Sequence, residues 1–274
     1  MTDTVTAARE GLTTRRHPPL RPYGLPRHSL ALARRSLIKI GRTPEGLADA
    51  VFLPIIFLTM FVYLFGGAVS GSTKAYLQTI FPAAMVMTVI MAGMMATGIN
   101  LNADIKKGVF DRFRSLPIAR SAPLIGSVLG DMIRYVVALV ALFGFGYAIG
   151  FRIHANPVNI VFASAVAIGF AFCLSWAYVL AGVVIREPSG VQGVAVLTLF
   201  PLAFGTNLLT PTSSMPGWLQ AWVHINPATH AMDACRGLLL GGPVARPLAE
   251  TLIWSVALFV VFAPSAVWAY RRRT

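Results

Sequence analysis

The sequence predicts an all-α, polytopic membrane protein with six transmembrane helices. Of its 274 residues, 56% are hydrophobic and only 12% are charged, which is too little charge to cover the surface of a soluble domain of this length. The apolar residues form six blocks, each long enough for a helix to cross about 30 Å of hydrocarbon. The basic residues are distributed asymmetrically around these blocks.

The six apolar blocks define the predicted spans. We place them at Leu47–Val69, Gln78–Leu101, Leu124–Gly150, Pro157–Val184, Val191–Thr210 and Pro247–Tyr270. The first block is too long, and lies too far from the start of the chain, to be a cleaved secretory signal peptide. Together the spans predict one transmembrane domain over residues 28–274.

The segment ahead of the first span has two parts. Residues 1–27 are rich in Thr, Arg and Pro, which predicts a disordered cytoplasmic tail. From Ser29 onward, apolar residues recur at helical spacing while basic residues take the other faces, which predicts an amphipathic helix lying in the membrane interface. Thr43 followed by Pro44 is a favourable cap and first-turn pair for the start of the first span.

The basic residues predict the orientation of the chain. Of the 23 Lys and Arg residues, 18 lie in the N-terminal segment, the loops after even-numbered spans and the C-terminal tail, and only four lie in the other loops. The positive-inside rule therefore places both termini in the cytoplasm. The net charge of +13 indicates topology and attraction to anionic lipid rather than nucleic-acid binding, because no soluble segment is long enough to fold into a basic face.

The loop between spans two and three predicts a short amphipathic helix that Asn102 caps and Pro117 ends. An apolar stripe runs along it, with charges on its other faces: Ile105, Val109, Phe113 and Leu116, against Lys106, Lys107, Asp111, Arg112 and Arg114. Such a helix suits either a plain interfacial element or a docking surface for a soluble partner. The residues alone do not separate these two interpretations.

The loop between spans five and six predicts a broken, re-entrant helical hairpin. Two helix starts occur in it, at Ser214-Met-Pro216 and at Asn226-Pro227, and the second helix would end at Gly241-Gly242. Neither helix is long enough to cross a bilayer. The apolar content of the hairpin favours partial insertion into the membrane over an ordinary surface loop.

Charged and aromatic residues near the membrane are candidates for a substrate path or gate. Asp131 and Arg134 lie three apart in span three and share a helical face, either as a functional pair or as a structural one. Asp233 and Arg236 repeat this spacing in the hairpin and predict a local ion pair. The full candidate set is Asp131, Arg134, Trp218, Trp222, His230, Asp233 and Arg236.

Several catalytic motifs are missing from the sequence. It contains no Gly-x-x-x-x-Gly-Lys-Ser/Thr phosphate loop, no Gly-x-Ser-x-Gly elbow and no His-Glu-x-x-His helix. Cys173 and Cys235 do not form a cluster with histidines that would predict a metal site. We therefore predict no catalytic residue, no metal and no cofactor bound by this chain.

Short segments along the chain carry a family resemblance. They are Arg42–Glu45, Pro54–Phe57, Phe65–Gly67, Tyr76-Leu77, Phe81-Pro82, Lys107–Arg120, Pro216–Trp218, Asn226-Pro227 and Arg236-Gly237. With them the chain resembles the ABC-2 type permeases, most closely the daunorubicin/doxorubicin-resistance branch of drug exporters, over roughly residues 30–272. Lys107–Arg120 is the specific match, and Ala83 departs from the glycine that the family has there.

The resemblance implies export of an amphipathic drug, antibiotic or lipid-like molecule across a bacterial plasma membrane. It implies a separate ATP-binding subunit, which binds the ATP and Mg, and a second permease chain, either identical or related. Docking on the ATP-binding subunit would involve Asp104, Ile105, Lys107, Val109, Phe110, Arg112, Phe113 and Arg114. Two alternatives are a transporter or channel driven by an ion gradient, which requires a charged relay in the membrane, and a membrane scaffold.

Overall fold

Helices form the part of the protein that the structure describes, and no strand occurs within it, as predicted. A computed structural model describes residues 44–108, 122–153 and 156–273. In chain order the helices are α1 (Pro44–Ser70), α2 (Thr73–Lys106), α3 (Ala122–Ala148), α4 (Pro157–Val184), α5 (Pro188–Phe204), a 3₁₀ turn (Thr212–Ser214), α6 (Gly217–Ile225), α7 (Pro227–Leu240) and α8 (Ala245–Arg273). The predicted tail over residues 1–27 and the predicted interfacial helix after Ser29 lie outside the described residues.

Five of the described helices are long and apolar enough to cross a membrane, namely α1, α2, α3, α4 and α8. This confirms the prediction of a multi-pass membrane protein. Helix α5 is apolar but has only 17 residues, which at about 1.5 Å per residue spans about 25 Å. A sixth crossing therefore stays a prediction.

The helix boundaries agree with the predicted spans to different degrees. Helix α4 has the predicted bounds, and α1 begins at the predicted first-turn residue Pro44. Helix α2 is longer than predicted at both ends; at its start, the Ser72 hydroxyl accepts a hydrogen bond from the backbone N–H of Ala75 at 3.1 Å. The predicted end of span five at Thr210 is wrong, because α5 ends at Phe204.

Helix α2 is the central element of the bundle. In its most apolar stretch 81% of the residues are buried, compared with 17% for α8. It packs against α1, α3, α4, α5 and α7. Large side chains that are fully buried fill the space around it, including Tyr76, Phe81, Tyr135 and Phe170. Any displacement of α2 would therefore affect most of the bundle.

Helices α2 and α4 touch through their backbones at two glycines. A Cβ atom on Gly98 would lie 2.7 Å from the carbonyl oxygen of Tyr178, and one on Gly182 would lie 2.5 Å from the carbonyl oxygen of Gly98. Both distances are shorter than van der Waals contact, so only residues without a side chain fit at this crossing.

The two ends of the bundle differ in charge and in structure. Helices α2, α4 and α8 end on the same side of the bundle, where Lys106, Arg186 and Arg272 lie. We call this side the basic face. We call the opposite end, which carries α6 and α7, the hairpin face. The predicted orientation assigns the basic face to the cytoplasm.

Candidate functional site

At the basic face, two side chains of α2 connect it to the end of α4. The side-chain amide of Asn102 donates to the carbonyl oxygens of Gly182 at 2.9 Å and of Ile185 at 2.6 Å. The last carbonyls of a helix have no donor within that helix, so the amide of Asn102 satisfies groups that α4 leaves open. The Lys106 ammonium lies 2.6 Å from a carboxylate oxygen of Glu187, just beyond α4.

The prediction of one continuous helix from Asn102 to Pro117 is wrong. Helix α2 runs through Asn102 to Lys106, and Gly108 then turns the chain with a φ of +64°. Asn102 does not cap a new helix, because its buried side chain is engaged with the end of α4 instead.

Only three of the eight predicted docking residues lie among the residues that the structure describes. Asp104 and Ile105 lie in the last turn of α2, and Lys107 follows it. Ile105 packs against a buried cluster that includes Leu101 and Val183, whereas Lys107 is exposed. The remaining docking residues lie outside the described residues: Val109, Phe110, Arg112, Phe113 and Arg114. Docking at this segment stays a prediction.

Asp131 and Arg134 belong to a buried polar cluster between α3 and α2. Their side chains are only 8% and 9% exposed. The Thr97 hydroxyl on α2 donates to an Asp131 carboxylate oxygen at 2.7 Å. Tyr135 lies so close to α2 that a Cβ on Gly93 would be 2.6 Å from its hydroxyl oxygen. The cluster therefore joins two helices, and Thr97, Gly93 and Tyr135 are members that sequence reasoning missed.

The cluster contains one buried polar atom that lacks a hydrogen-bond partner among the described residues. This atom is the Nε of Arg134. Such groups are costly in a membrane interior unless water or another polar group reaches them.

At the hairpin face, the predicted hairpin consists of the two short helices α6 and α7. Helix α7 packs against α2, α4 and α8, and Met232, Cys235 and Leu239 on it are fully buried. Burial raises the pKa of the Cys235 thiol to about 12. An ordinary surface loop is therefore the wrong description of α7. Trp218 on α6, by contrast, is 74% exposed.

Asn226, between α6 and α7, joins the hairpin to the end of α5. Its side-chain oxygen accepts from the backbone N–H of Ala228 at 3.0 Å and so caps α7. Its side-chain nitrogen donates to three carbonyl oxygens at the end of α5, those of Pro201 (3.2 Å), Leu202 (3.1 Å) and Gly205 (2.7 Å). The indole N–H of Trp222 also reaches Pro201 O, at 3.3 Å. These donors provide the physical reason why α5 ends before Thr210.

The predicted ion pair of α7 is confirmed. A guanidinium nitrogen of Arg236 lies 2.6 Å from a carboxylate oxygen of Asp233, and the side-chain amide of Asn207 donates to the same oxygen at 2.8 Å. Burial lowers the pKa of Arg236, and the Asp233 carboxylate opposes that shift. The pair therefore fixes the loop after α5 to α7.

His230 forms a second polar link, between α7 and α8. Its Nδ1 lies 2.9 Å from one carboxylate oxygen of Glu250, and the other oxygen accepts from the Arg246 guanidinium at 2.9 Å. Glu250 is thus shared between a side chain of the hairpin and one of its own helix.

The candidate path residues fall into two groups. His230, Asp233 and Arg236 lie on α7 at the hairpin face, with Trp222 close to them in the chain, whereas Asp131 and Arg134 lie in the half of α3 nearer the basic face. Sequence reasoning missed three polar residues whose partners are far away in the chain, Asn207, Asn226 in its contact with α5, and Glu250. The only feature of the sequence that could have indicated them is that each is a polar residue next to or within an apolar helix.

The chain is similar to known membrane transporter proteins over most of its length. A family model described as "ABC-2 type transporter" matches residues 27–240. The daunorubicin resistance ABC transporter permease protein DrrB1 of Streptomyces coeruleorubidus is 43% identical over 239 residues, which are 87% of this chain and 84% of the relative. The doxorubicin resistance ABC transporter permease protein DrrB of Mycobacterium tuberculosis is 32% identical over 234 residues, 80% of this chain and 81% of the relative.

Proposed function

Because the chain belongs to the ABC-2 type transporter family, we propose that it is the permease subunit of an exporter. It moves an amphipathic drug, antibiotic or lipid-like molecule out of the cytoplasm. The energy comes from ATP, bound with Mg and hydrolysed by a separate subunit, since this chain has no phosphate loop. The named activities of the relatives support a compound of the anthracycline class as substrate.

The observation that carries the mechanism is the connection at the basic face. Asn102 and Lys106 attach the last turn of α2 to the end of α4 and to Glu187. The predicted docking segment follows this turn directly. A displacement of the segment by the ATP-binding subunit would therefore reach two spans at once, α2 through the chain and α4 through these contacts.

A second permease chain is the partner that the exposed side of α5 best fits. Leu197 and Phe200 on this side are strongly exposed. An open cleft of about 640 Å³ lies along the same side, with polar Ser189 and Gln192 beside Val196 and the two apolar residues. A mixed polar and apolar surface suits a dimer interface or a shared path better than contact with lipid alone. The second chain is either a copy of this one or a related permease.

The hairpin is the proposed outer gate of the path. Its polar links to α5, to the loop after α5 and to α8, made by Asn226, Asp233 and His230 respectively, hold α7 in place while leaving the tryptophans of α6 at the surface. Opening would break these links. Trp218, Trp222, His230, Asp233 and Arg236 are accordingly the residues proposed to meet the substrate there, and Asp131 and Arg134 those proposed near the entry side.

The proposed setting is the plasma membrane of a bacterium, with both termini in the cytoplasm. Support comes from the bias of Lys and Arg toward the basic face. The family match begins at residue 27, which supports a tail over residues 1–27 ahead of a single transmembrane domain.

Efflux of a fluorescent anthracycline such as daunorubicin tests the proposal. Cells producing this chain together with its ATP-binding subunit should export the compound, and a subunit with an inactivated phosphate loop should abolish export. Phe113→Asp in this chain should also abolish export while membrane insertion is unchanged. Asp111→Asn, in the same segment but outside the docking set, should keep it.

Two outcomes would contradict the proposal. Full export with Phe113→Asp would exclude docking through this segment. Loss of export when the proton gradient is collapsed at constant ATP would favour a transporter driven by an ion gradient.

A further inference from the structure

A cleft opens on the basic face between the ends of α4 and α8. It has a volume of about 370 Å³ and is lined by Val183, Val184, Arg186, Ala269 and Arg272. We propose that this cleft is a binding site for an anionic phospholipid of the adjacent leaflet. The two guanidinium groups bind the phosphate of the headgroup, and the aliphatic walls contact the beginning of an acyl chain. None of the described residues that line the cleft belongs to the proposed docking set or to the proposed path.

The lining combines two kinds of surface that a phospholipid requires. Arg186 and Arg272 present planar guanidinium groups, which bind phosphate oxygens through paired, charge-assisted hydrogen bonds. Val184 is 61% exposed, although it lies in the last turn of a membrane-spanning candidate, and Ala269 continues the apolar wall. A soluble anion would use the arginines but gain nothing from this wall.

The cleft lies at the depth of lipid headgroups. Helix α4 ends at Val184 and α8 ends at Arg273, so both spans reach the membrane surface here. The Arg272 guanidinium lies over the Trp268 ring, 3.9 Å from its centroid, and Trp268 is exposed. Tryptophan favours the interface between hydrocarbon and water, which holds the neighbouring guanidinium at the level of the phosphates.

The local charge favours an anion. Glu187 follows Arg186 in the chain, but its carboxylate is engaged with Lys106 at 2.6 Å. None of the described residues that line the cleft is acidic. Basic pockets between spans on the cytoplasmic side are typical binding sites for anionic headgroups.

Native mass spectrometry of the full chain in mild detergent tests the site. With equal amounts of phosphatidylglycerol and phosphatidylcholine, the wild-type protein should retain mainly phosphatidylglycerol. Arg186→Gln and Arg272→Gln should each reduce this preference about fivefold, the effect expected for one basic residue near a membrane surface. The double variant should show no preference.

Two variants are matched controls. Arg271→Gln changes the adjacent residue of the same tail, which does not line the cleft. Arg152→Gln changes an arginine at the hairpin face that lies over an aromatic ring in the same way, 4.5 Å from the centroid of Tyr147. Both should keep the wild-type preference. An equal loss in Arg271→Gln, or a preference that survives in the double variant, would overturn the proposal.

A measurement on the wild-type protein decides the case even if the variants do not fold. Phosphatidylglycerol should raise the Tm of the detergent-solubilised chain more than phosphatidylcholine does, and inorganic phosphate should leave it unchanged. An equal rise with inorganic phosphate would assign the arginines to a soluble anion and refute a lipid site. An equal rise with the two lipids would also refute it.

Discussion

Two asparagines connect helices at opposite faces of the molecule, and the connections differ in how completely they are satisfied. At the hairpin face, Asn226 donates to three carbonyls of α5 while its side-chain oxygen caps α7. At the basic face, Asn102 donates to two carbonyls at the end of α4, and its buried side-chain oxygen has no partner among the described residues.

The difference indicates which connection yields more readily. Every hydrogen-bonding group of the Asn226 amide is near a partner, and an unmade buried hydrogen bond is costly. The side-chain oxygen of Asn102 lacks a hydrogen-bond partner among the described residues, and the neighbouring ion pair of Lys106 and Glu187 is solvent-exposed. We infer that the connection at the hairpin face is the more stable of the two and that the connection at the basic face breaks more readily. Four substitutions test this inference and the packing of α2 against α4, in order of decreasing expected effect.

Asn226→Ala should have the largest effect on stability. It leaves three carbonyls at the end of α5 without this donor and removes the cap of α7, which together cost about 3 kcal/mol or more. The Tm in detergent, followed by tryptophan fluorescence, measures the loss.

Asn156→Ala is the matched control for this change. Asn156 caps α4 through its side-chain oxygen and is exposed, so losing that single role should cost only about 1 kcal/mol. If both variants lowered the Tm equally, the contact between Asn226 and α5 would be energetically unimportant, and the connection at the hairpin face would not be the more stable one.

Gly182→Ala should rank second. The new Cβ would lie 2.5 Å from the carbonyl oxygen of Gly98, and forcing a methyl group into a packed contact costs about 2 kcal/mol. Gly169→Ala in the same helix has nothing within 4 Å of its Cβ and should leave the Tm nearly unchanged. Equal behaviour of the two variants would mean that the helices separate easily at this crossing.

Asn102→Ala should destabilise the protein by only about 1 kcal/mol. Two carbonyls lose their donor, but removing an unpartnered side-chain oxygen offsets part of that cost. The larger consequence should be functional, with ATP-dependent export falling more than the Tm suggests. Asn100→Ala, at an exposed position of the same helix, should change neither quantity. A loss of stability as large as that of Asn226→Ala would remove the asymmetry between the two faces.

Lys106→Gln should have the smallest effect on stability. The side chains of Lys106 and Glu187 are 42% and 64% exposed, and exposed ion pairs contribute about 0.5 kcal/mol or less, with further loss in high salt. A double-mutant cycle with Glu187→Gln measures the interaction, with Lys74→Gln on the same helix as control. A coupling that persists in high salt would show this link to be stronger than its exposure implies.

Local patterns predicted the parts of the fold that depend on local physics. Helix α4 matches its prediction because Asn156 and Pro157 start it, and its residues up to Val184 form one uninterrupted apolar block. The Asp233–Arg236 pair could be predicted because residues three apart on a helix are neighbours.

Contacts between distant segments account for what could not be predicted. The end of α2 was misplaced because an asparagine after an apolar block looks like a cap, whereas Asn102 serves the end of a helix eighty residues away in sequence. The end of α5 was misplaced for the same reason, since Asn226 satisfies its carbonyls. Glu250 was missed as a partner of His230 because nothing in the local sequence of either residue relates them.

The glycine crossing of α2 and α4 has a mechanical consequence. Gly98 divides α2 into unequal arms, about 12 Å long toward Lys106 and about 38 Å long toward Thr73, at 1.5 Å per residue. If α2 tilts about Gly98, a shift of about 1 Å at its Lys106 end corresponds to a shift of about 3 Å at its Thr73 end. The chain would thus work as a lever that amplifies a small push on one side of the membrane into a larger stroke on the other.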